Sequence, residues 1–263
     1  MSDEILLRHD QDAVTTLTLN NPGKLNALSD AMLAALTGTF DDLRGDPGIR
    51  AVIIRGAGKA FCAGHDLREM TAGRQAEDGG RAYFADLFAR CSVVMSGIRS
   101  LPQPVIAQVH GIATAAGCQL VASCDMAVAA EGTRFGVNGV NIGLFCSTPM
   151  VALSRNIPKK QAFEMLVTGT FIDATRAREL GLVNHVVPEA DLSERSAELA
   201  ALCASKLGSA VKIGKEAYYK QAEMGLDEAY AYVGDVMVDN LMHAQTEKGI
   251  AAFLAKETPE WDQ

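Results

Sequence analysis

The sequence predicts an α/β fold that gives way to a helical tail, and three observations carry that expectation. Four short runs, Val14 to Leu19, Ala51 to Arg55, Val105 to Val109 and Met126 to Ala130, are β-rich or wholly apolar, as strands covered on both faces are. Segments of helical periodicity alternate with them, which argues for right-handed ββα or βαβ crossovers. After Pro188 only amphipathic helical patterns remain. The expected division is an α/β core over residues 1–195 and a helical region over 196–263. No internal repeat or low-complexity linker interrupts the chain, so the boundary is a change of architecture.

In order along the chain, the first helix begins near Ser29, a residue suited to cap an N-terminus, and Met32, Leu33, Leu36, Phe40 and Leu43 form one apolar stripe. Residues 71–74 and Gly79-Gly80 read as a loose, mobile segment, with a helix from Ala76 to Ser100. From Ser147 the pattern is helical again. Pro158 sits at the start of a helix running through Leu166, where its missing N–H does no harm. A further helix, Ala174 to Leu180, stops at Gly181, and Asn184 to Val187 supplies a last strand. Helices are then expected over Ala190 to Ala204, Ser209 to Met224, Asp227 to Met242 and Ala244 to Glu257.

Composition excludes several function classes. A formal net charge of −8, with no run of Lys and Arg, argues against a nucleic-acid surface, which needs concentrated positive charge. With 48% hydrophobic and 21% charged residues the chain reads as soluble and globular. Its most apolar stretch, Gly111 to Ala130, is interrupted by Gln119 and Asp125, so a membrane span is not expected. Met1-Ser2-Asp3-Glu4 lacks the basic start of a signal peptide. The six cysteines, 62, 91, 118, 124, 146 and 203, form no C-x-x-C pair and no metal-type spacing. A reducing, cytoplasmic setting is expected, with most of the thiols packed as small apolar groups.

Two short stretches carry the chemistry. Phe61-Cys62-Ala63-Gly64-His65-Asp66 and Gly111 to Leu120 each place small residues where a strand hands over to a turn or helix, a geometry that leaves backbone N–H groups aimed outward. Two such donors converging on one point make an oxyanion hole. Other signatures fail: Gly56-Ala57-Gly58-Lys59 lacks the first glycine and the hydroxyl of a P-loop, Gly136 to Gly143 has the wrong spacing for a dinucleotide fingerprint, and G-x-S-x-G does not occur.

With Asn21 to Leu28, Lys59 to Leu67, His110 to Asp125 and Phe135 to Leu144 in this order and spacing, the chain resembles the crotonase family, the enoyl-CoA hydratase and isomerase superfamily, from about Val14 to Trp261. The resemblance implies a repeated ββα spiral core and a helical tail that assembles trimers, often paired into hexamers. It implies a coenzyme A thioester as substrate, with no permanently bound cofactor and no metal. The two oxyanion donors map onto the backbone of His65 and Ala116. The two catalytic glutamates of the hydratases map onto Gln119 and Gly139. The chain is in this respect similar to hydratase-domain-containing proteins that lack both acids, and weak standard hydration is the expectation. The acyl-CoA contacts it implies are Lys24, Ala27, Ala63, Gly64, Asp66, Leu67, Arg68 and Gly117, with Phe253 and Lys256 of the last helix covering the nucleotide.

Several side chains need weighing beside that resemblance. Gln119 has no group that titrates near neutral pH, so it can hydrogen-bond but not act as a general base. Gly139 deletes a carboxylate and leaves space, for a water or a small anion acting as base in the manner of bicarbonate in the naphthoate-synthase branch, or else simply makes a turn. Asn138 and Asn141 beside it are turn formers. The His65 ring is expected to serve main-chain geometry, with proton relay the alternative. Glu69 is a candidate surrogate acid. Asp66, Asp125 and His110 read as framework acceptors, and no His–Asp arrangement supports a thiol nucleophile at Cys62, Cys118 or Cys146. Two function classes remain, an acyl-CoA enzyme that stabilises a thioester enolate and a non-catalytic acyl-CoA-binding subunit.

Overall fold

The structure, a computed structural model, describes residues 4–261. Strands β1 (Leu6–Gln11) and β2 (Val14–Leu19) form an antiparallel hairpin. Its two turn residues, Asp12 and Ala13, take positive φ, the geometry that matches the twist of a two-residue hairpin. Helix α1 (Asp30–Arg44) then returns the chain to β3 (Ala51–Gly56), which lies parallel to β2. Two helices, α2 (Leu67–Gly73) and α3 (Arg81–Ser100), lead to β4 (Val105–Val109), and β5 (Ile112–Thr114) with α4 (Ala116–Ser123) leads to β6 (Met126–Ala130). After β7 (Arg134–Gly136), α5 (Ser147–Asn156), α6 (Lys159–Thr168), β8 (Ile172–Asp173) and α7 (Ala174–Leu180), the strand β9 (His185–Val187) closes the main sheet. Its order is β1-β2-β3-β4-β6-β9, all parallel beyond the first pair.

A second, three-stranded sheet, β5-β7-β8, stands beside the first. Each passage of the chain gives one strand to the main sheet and one short piece to the small one. β4 is followed by β5 and β6 by β7, while Cys62 after β3 bridges to Ala113. This is the repeated ββα core that the sequence predicts.

Alternation along the central strands decides what covers each face. Val52, Ile54, Val105, Ala107 and Val109 belong to the large core with Met32, Leu36, Phe40 and Leu43 of α1. Ala51, Ile53, Ile106, Val128 and Ala130 point the other way and meet Leu192 and Ala200 of α8 (Leu192–Ala204). Ser29 caps α1 as expected, its hydroxyl accepting from the Met32 N–H at 3.2 Å. Burying a side chain such as Phe40 contributes about 1.5–3 kcal/mol.

Three expectations are corrected. The 195/196 boundary falls inside α8, and because that helix covers one face of the sheet the change of architecture comes after Ala204. The segment before α3 holds a short helix and a hydrogen-bonded turn. α2 occupies Leu67–Gly73, a Cβ on Gly73 would stand 2.3 Å from the Tyr83 ring, and Asp78 accepts from the Gly80 and Ala82 N–H groups, so α3 starts at Arg81 instead of Ala76. β1, β5, β7 and β8 carry no sequence expectation, the last three because two or three residues are too few for a periodicity.

The tail comprises α9 (Gly208–Gln221), α10 (Leu226–Leu241) and α11 (Ala244–Ala255). One buried polar cluster pins α9 to the core. Lys215 Nζ donates to Asp125 Oδ2 at 2.6 Å and to the carbonyls of Ile98 and Gln103, and the Tyr219 hydroxyl donates to Asp125 Oδ1 at 2.7 Å. Asp125 Oδ2 also accepts from the Val105 N–H. Burial lowers the Lys215 ammonium from its ordinary value and raises the Tyr219 phenol. No helix among the described residues is long and apolar enough to cross a membrane.

Candidate active site

The four sequence landmarks meet beyond the C-terminal ends of β3 and β4, and one buried amide does much of the joining. Asn26, in the left-handed region at φ 54°, donates from Nδ2 to the Ala57 and Ala60 carbonyls at 2.8 Å each and accepts the Asn21 N–H at Oδ1. The Leu28 N–H donates to the Gly64 carbonyl at 2.8 Å and the Ala63 N–H to that of Leu25 at 3.0 Å. On the other side, the Phe61 and Cys62 N–H groups donate to the His110 and Ile112 carbonyls, and the Ala115 N–H to that of Gly136. Residues distant in sequence are thereby fixed in one frame.

The two turns that carry the expected donors, at Gly64 and at Ala115, pack against each other. α4 opens at Ala116 without a side-chain cap, after Ala115 with φ 50° and ψ −120°. For alanine that conformation is strained, of order 1–3 kcal/mol, and it persists only because its surroundings hold it. It presents the first N–H groups of α4, at the positive end of the helix dipole. Gly64, at φ 92°, packs directly below: a Cβ there would lie 3.0 Å from the Ala115 Cβ and 3.3 Å from the Ala116 nitrogen. A Cβ on Gly117 would lie 2.2 Å from the Cys62 carbonyl oxygen. Neither the His65 nor the Ala116 N–H donates a main-chain hydrogen bond among the described residues. Donors so placed can stabilise an anionic oxygen.

The side chains around this pair are closed or engaged. The His65 ring turns inward, with its edge to the Phe88 ring at 5.7 Å and Nδ1 3.4 Å from the Leu28 carbonyl oxygen, and Nε2 is buried without a partner. Burial holds its imidazole below the ordinary value, so it is neutral near pH 7. Glu69 accepts the Asp30 N–H at 2.8 Å and so caps α1. Burial pushes the Cys62 and Cys118 thiols up to about 12 and Cys91 up to about 11, leaving them protonated near neutral pH. The His110 ring bonds the Gly58 carbonyl, a framework role. Among the described residues no group of three or more His, Cys, Asp or Glu is placed to hold a metal ion.

Gln119 and Gly139 differ in kind. Gln119, one turn into α4, is 5% exposed, and its Oε1 has the Cys91 thiol at 4.0 Å. It borders a cavity of about 470 Å³ between α3, α4, α5 and α9. Gly139 does not leave the space that the sequence suggests. The chain itself fills the position, because a Cβ would lie 2.3 Å from the Leu144 carbonyl oxygen and 2.9 Å from Cys146 Sγ, which accepts the Gly139 N–H. Asn138 accepts from the Thr114 hydroxyl and Asn141 donates to the Gly169 carbonyl, both as loop-forming contacts.

Of the residues expected to contact coenzyme A, Ala27, Ala63, Gly64, Asp66 and Gly117 share the frame, with Leu67 exposed at its rim. Lys24 Nζ pairs with Asp66 Oδ2 at 2.7 Å, and Asp66 Oδ1 caps α2 by accepting the Arg68 N–H. That pairing, with Lys24, holds the Asp66 carboxyl below its ordinary 3.8. Phe253 is 80% exposed on α11, and no described hydrogen bond, ion pair or ring contact joins it or Lys256 to the 63–68 segment. Sequence reasoning missed Ala115, whose residue type gives no sign of positive φ, and Lys215 with Tyr219, whose i, i+4 spacing on α9 was a readable signal. Asn26 lay within a landmark without being singled out.

Comparison with known proteins agrees with this fold. The family model for enoyl-CoA hydratase/isomerase matches residues 9–263. The human mitochondrial enoyl-CoA hydratase domain-containing protein 3 is 47% identical over 250 residues, which cover 95% of this chain and 81% of that protein. A crystal structure of an enoyl-CoA hydratase from Mycobacterium smegmatis superposes with TM-score 0.95 at 52% identity, covering 99% of this chain and 100% of the other. The crystal structure of the human domain-containing protein 3 gives TM-score 0.93 at 45% identity, covering 98% and 100%.

Proposed function

Because this chain belongs to the enoyl-CoA hydratase/isomerase family, we propose that it is an acyl-CoA enzyme whose His65 and Ala116 N–H groups stabilise the enolate oxygen of a bound thioester. The observation that carries this reading is the strained Ala115 turn, which sets the head of α4 against the Gly64 turn. Loss or gain of a proton at the thioester α-carbon puts negative charge on the carbonyl oxygen. A preorganised donor aimed there contributes about 2.7–4 kcal/mol by analogy with removal of one such donor. Positions 119 and 139 carry no carboxylate, so hydration of a standard enoyl-CoA is weak. Lys24 and Arg68 face the phosphates, and the six free thiols suit a reducing compartment such as the cytoplasm.

The helical tail serves assembly on this reading. Tyr230, Met237, Met242, Phe253 and Leu254 are all exposed on α10, α11 or just beyond α10, and a trimer or a pair of trimers would cover them and bring a neighbour's Phe253 and Lys256 to the nucleotide. One observation favours the second reading, a non-catalytic acyl-CoA-binding subunit: Glu69 is engaged, the His65 ring is closed and the nearby thiols are protonated. Exchange of α-hydrogens of a saturated acyl-CoA with deuterated water separates the two. Slow exchange abolished by Ala116→Pro, which removes the N–H, supports the enzyme. Binding without exchange above the uncatalysed rate, across several acyl chains, supports the binder. Exchange that survives Ala116→Pro in a folded protein overturns the donor assignment.

A further inference from the structure

At the opposite end of the strands, before the N-terminal ends of β3 and β4, lies a cavity of about 480 Å³ bordered by the start of α9. Six side-chain nitrogen or oxygen atoms among the described residues are buried without a partner, and three of the six, Arg50 Nε, Gln103 Oε1 and Ser209 Oγ, belong to residues that line this cavity. Orphaned buried polar atoms are rare enough to need an explanation, and three around one hollow point to a missing polar ligand.

We propose that this cavity binds inorganic phosphate. The charge around it suits an anion. Arg44, Arg50 and Lys212 line the cavity, Arg44 already paired with Asp41 at 2.6 Å, and its one acidic side chain, Asp46, shares the Arg8 guanidinium with Asp10. α9 begins here, with Leu207 at its N-cap position, and its dipole favours negative charge. Arg50 is held in place by its Nη2 bond to the Lys206 carbonyl, which leaves Nε as the unused donor.

Gln103 makes the ligand specific. It is 4% exposed, and its Nε2 donates to the carbonyls of Leu43, Ile49 and Asp46 at 2.7, 3.2 and 3.3 Å, so the amide cannot turn over. Oε1 is therefore an acceptor that needs a donor. Inorganic phosphate near neutral pH carries both kinds of group, charged oxygens for Arg50 Nε and Ser209 and a P–OH for Gln103, whereas a phosphomonoester is mostly a dianion with no O–H. Sulfate has the same size and charge but no O–H to give.

Calorimetry of the full chain with inorganic phosphate, glycerol phosphate and sulfate tests this. Phosphate should bind with Kd at or below about 1 mM. Sulfate should bind on the order of tenfold more weakly, the fold-change expected for a lost hydrogen bond to a charged partner. Ser209→Ala, a half-buried helix-start position, and Arg50→Lys should each weaken phosphate by about tenfold with unchanged circular dichroism. Glycerol phosphate, mostly a dianion without P–OH, should bind more weakly than inorganic phosphate, and tighter binding of the ester overturns the proposal. Absence of phosphate binding overturns the proposal. So does equal binding of phosphate and sulfate that Ser209→Ala leaves unchanged, because diffuse positive charge would then suffice.

Discussion

Restoring a carboxylate should succeed at one of the two altered positions and fail at the other. Gln119→Glu is nearly isosteric, and a positioned acid or base contributes typically ~10²–10⁴-fold. At 5% exposure, with the Cys91 thiol at 4.0 Å, the new carboxylate would be desolvated and its pKa pushed up, so the gain should lie near the low end, about 10²-fold. Gly139→Glu has no room to start from. Its Cβ would sit 2.3 Å from the Leu144 carbonyl oxygen, and the segment Leu144 to Cys146 would have to move, an overpacking cost of about 1–3 kcal/mol. Crotonyl-CoA hydration, followed by loss of the enoyl thioester absorbance with unfolding midpoints measured beside it, should rank Gln119→Glu above wild type and Gly139→Glu at or below it. A folded Gly139→Glu protein that gains as much as Gln119→Glu would refute the steric reasoning.

Three further outcomes follow from other parts of the structure. Ala115→Gly should raise the unfolding free energy by about 1 kcal/mol, since relief of about 1–3 kcal/mol of strain exceeds the 0.4–1 kcal/mol that glycine adds to unfolded-chain entropy, and a lower denaturation midpoint would contradict it. Lys215→Met should cost about 3–5 kcal/mol by leaving Asp125 buried and uncompensated, while adding Asp125→Asn should recover part of the loss; denaturant titration of both variants at one protomer concentration checks the difference. Asp66 has a depressed folded-state pKa, so its pair with Lys24 stabilises above the ordinary 3.8 and fades as pH falls through the lower folded value. Lys24→Ala should therefore shift acid unfolding to higher pH, and it should weaken a coenzyme A thioester more than a pantetheine thioester in calorimetry.

Legibility followed physical scale. The stripe of α1 and the Ser29 cap could be read because periodicity and capping act within one element. The turns at Gly64 and Gly117 could be read because glycine at a close approach has few other uses. Gly139 was misleading for the opposite reason. A missing side chain looks like empty space in a sequence, and only the path of Leu144 to Cys146 shows that backbone fills it. α8 was divided because a helix lying on a sheet and a helix of the tail share one amphipathic pattern. The strained turn at Ala115 was invisible, since its conformation is imposed by the Gly136 carbonyl and the Gly64 turn rather than by its own residue type.

The donors proposed for the enolate belong to the main chain, and this changes how the site would respond to mutation. An alanine scan would pass over Ala116, which is already alanine, and at position 65 it would remove an inward-facing ring while leaving the N–H where it was. Side-chain drift could strip or restore acids at 119 without touching these two dipoles. The vulnerable positions are instead those where bulk would push backbone apart, Gly64 and Gly117, so a glycine-to-alanine scan of these turns would locate the reactive centre that the usual scan would miss.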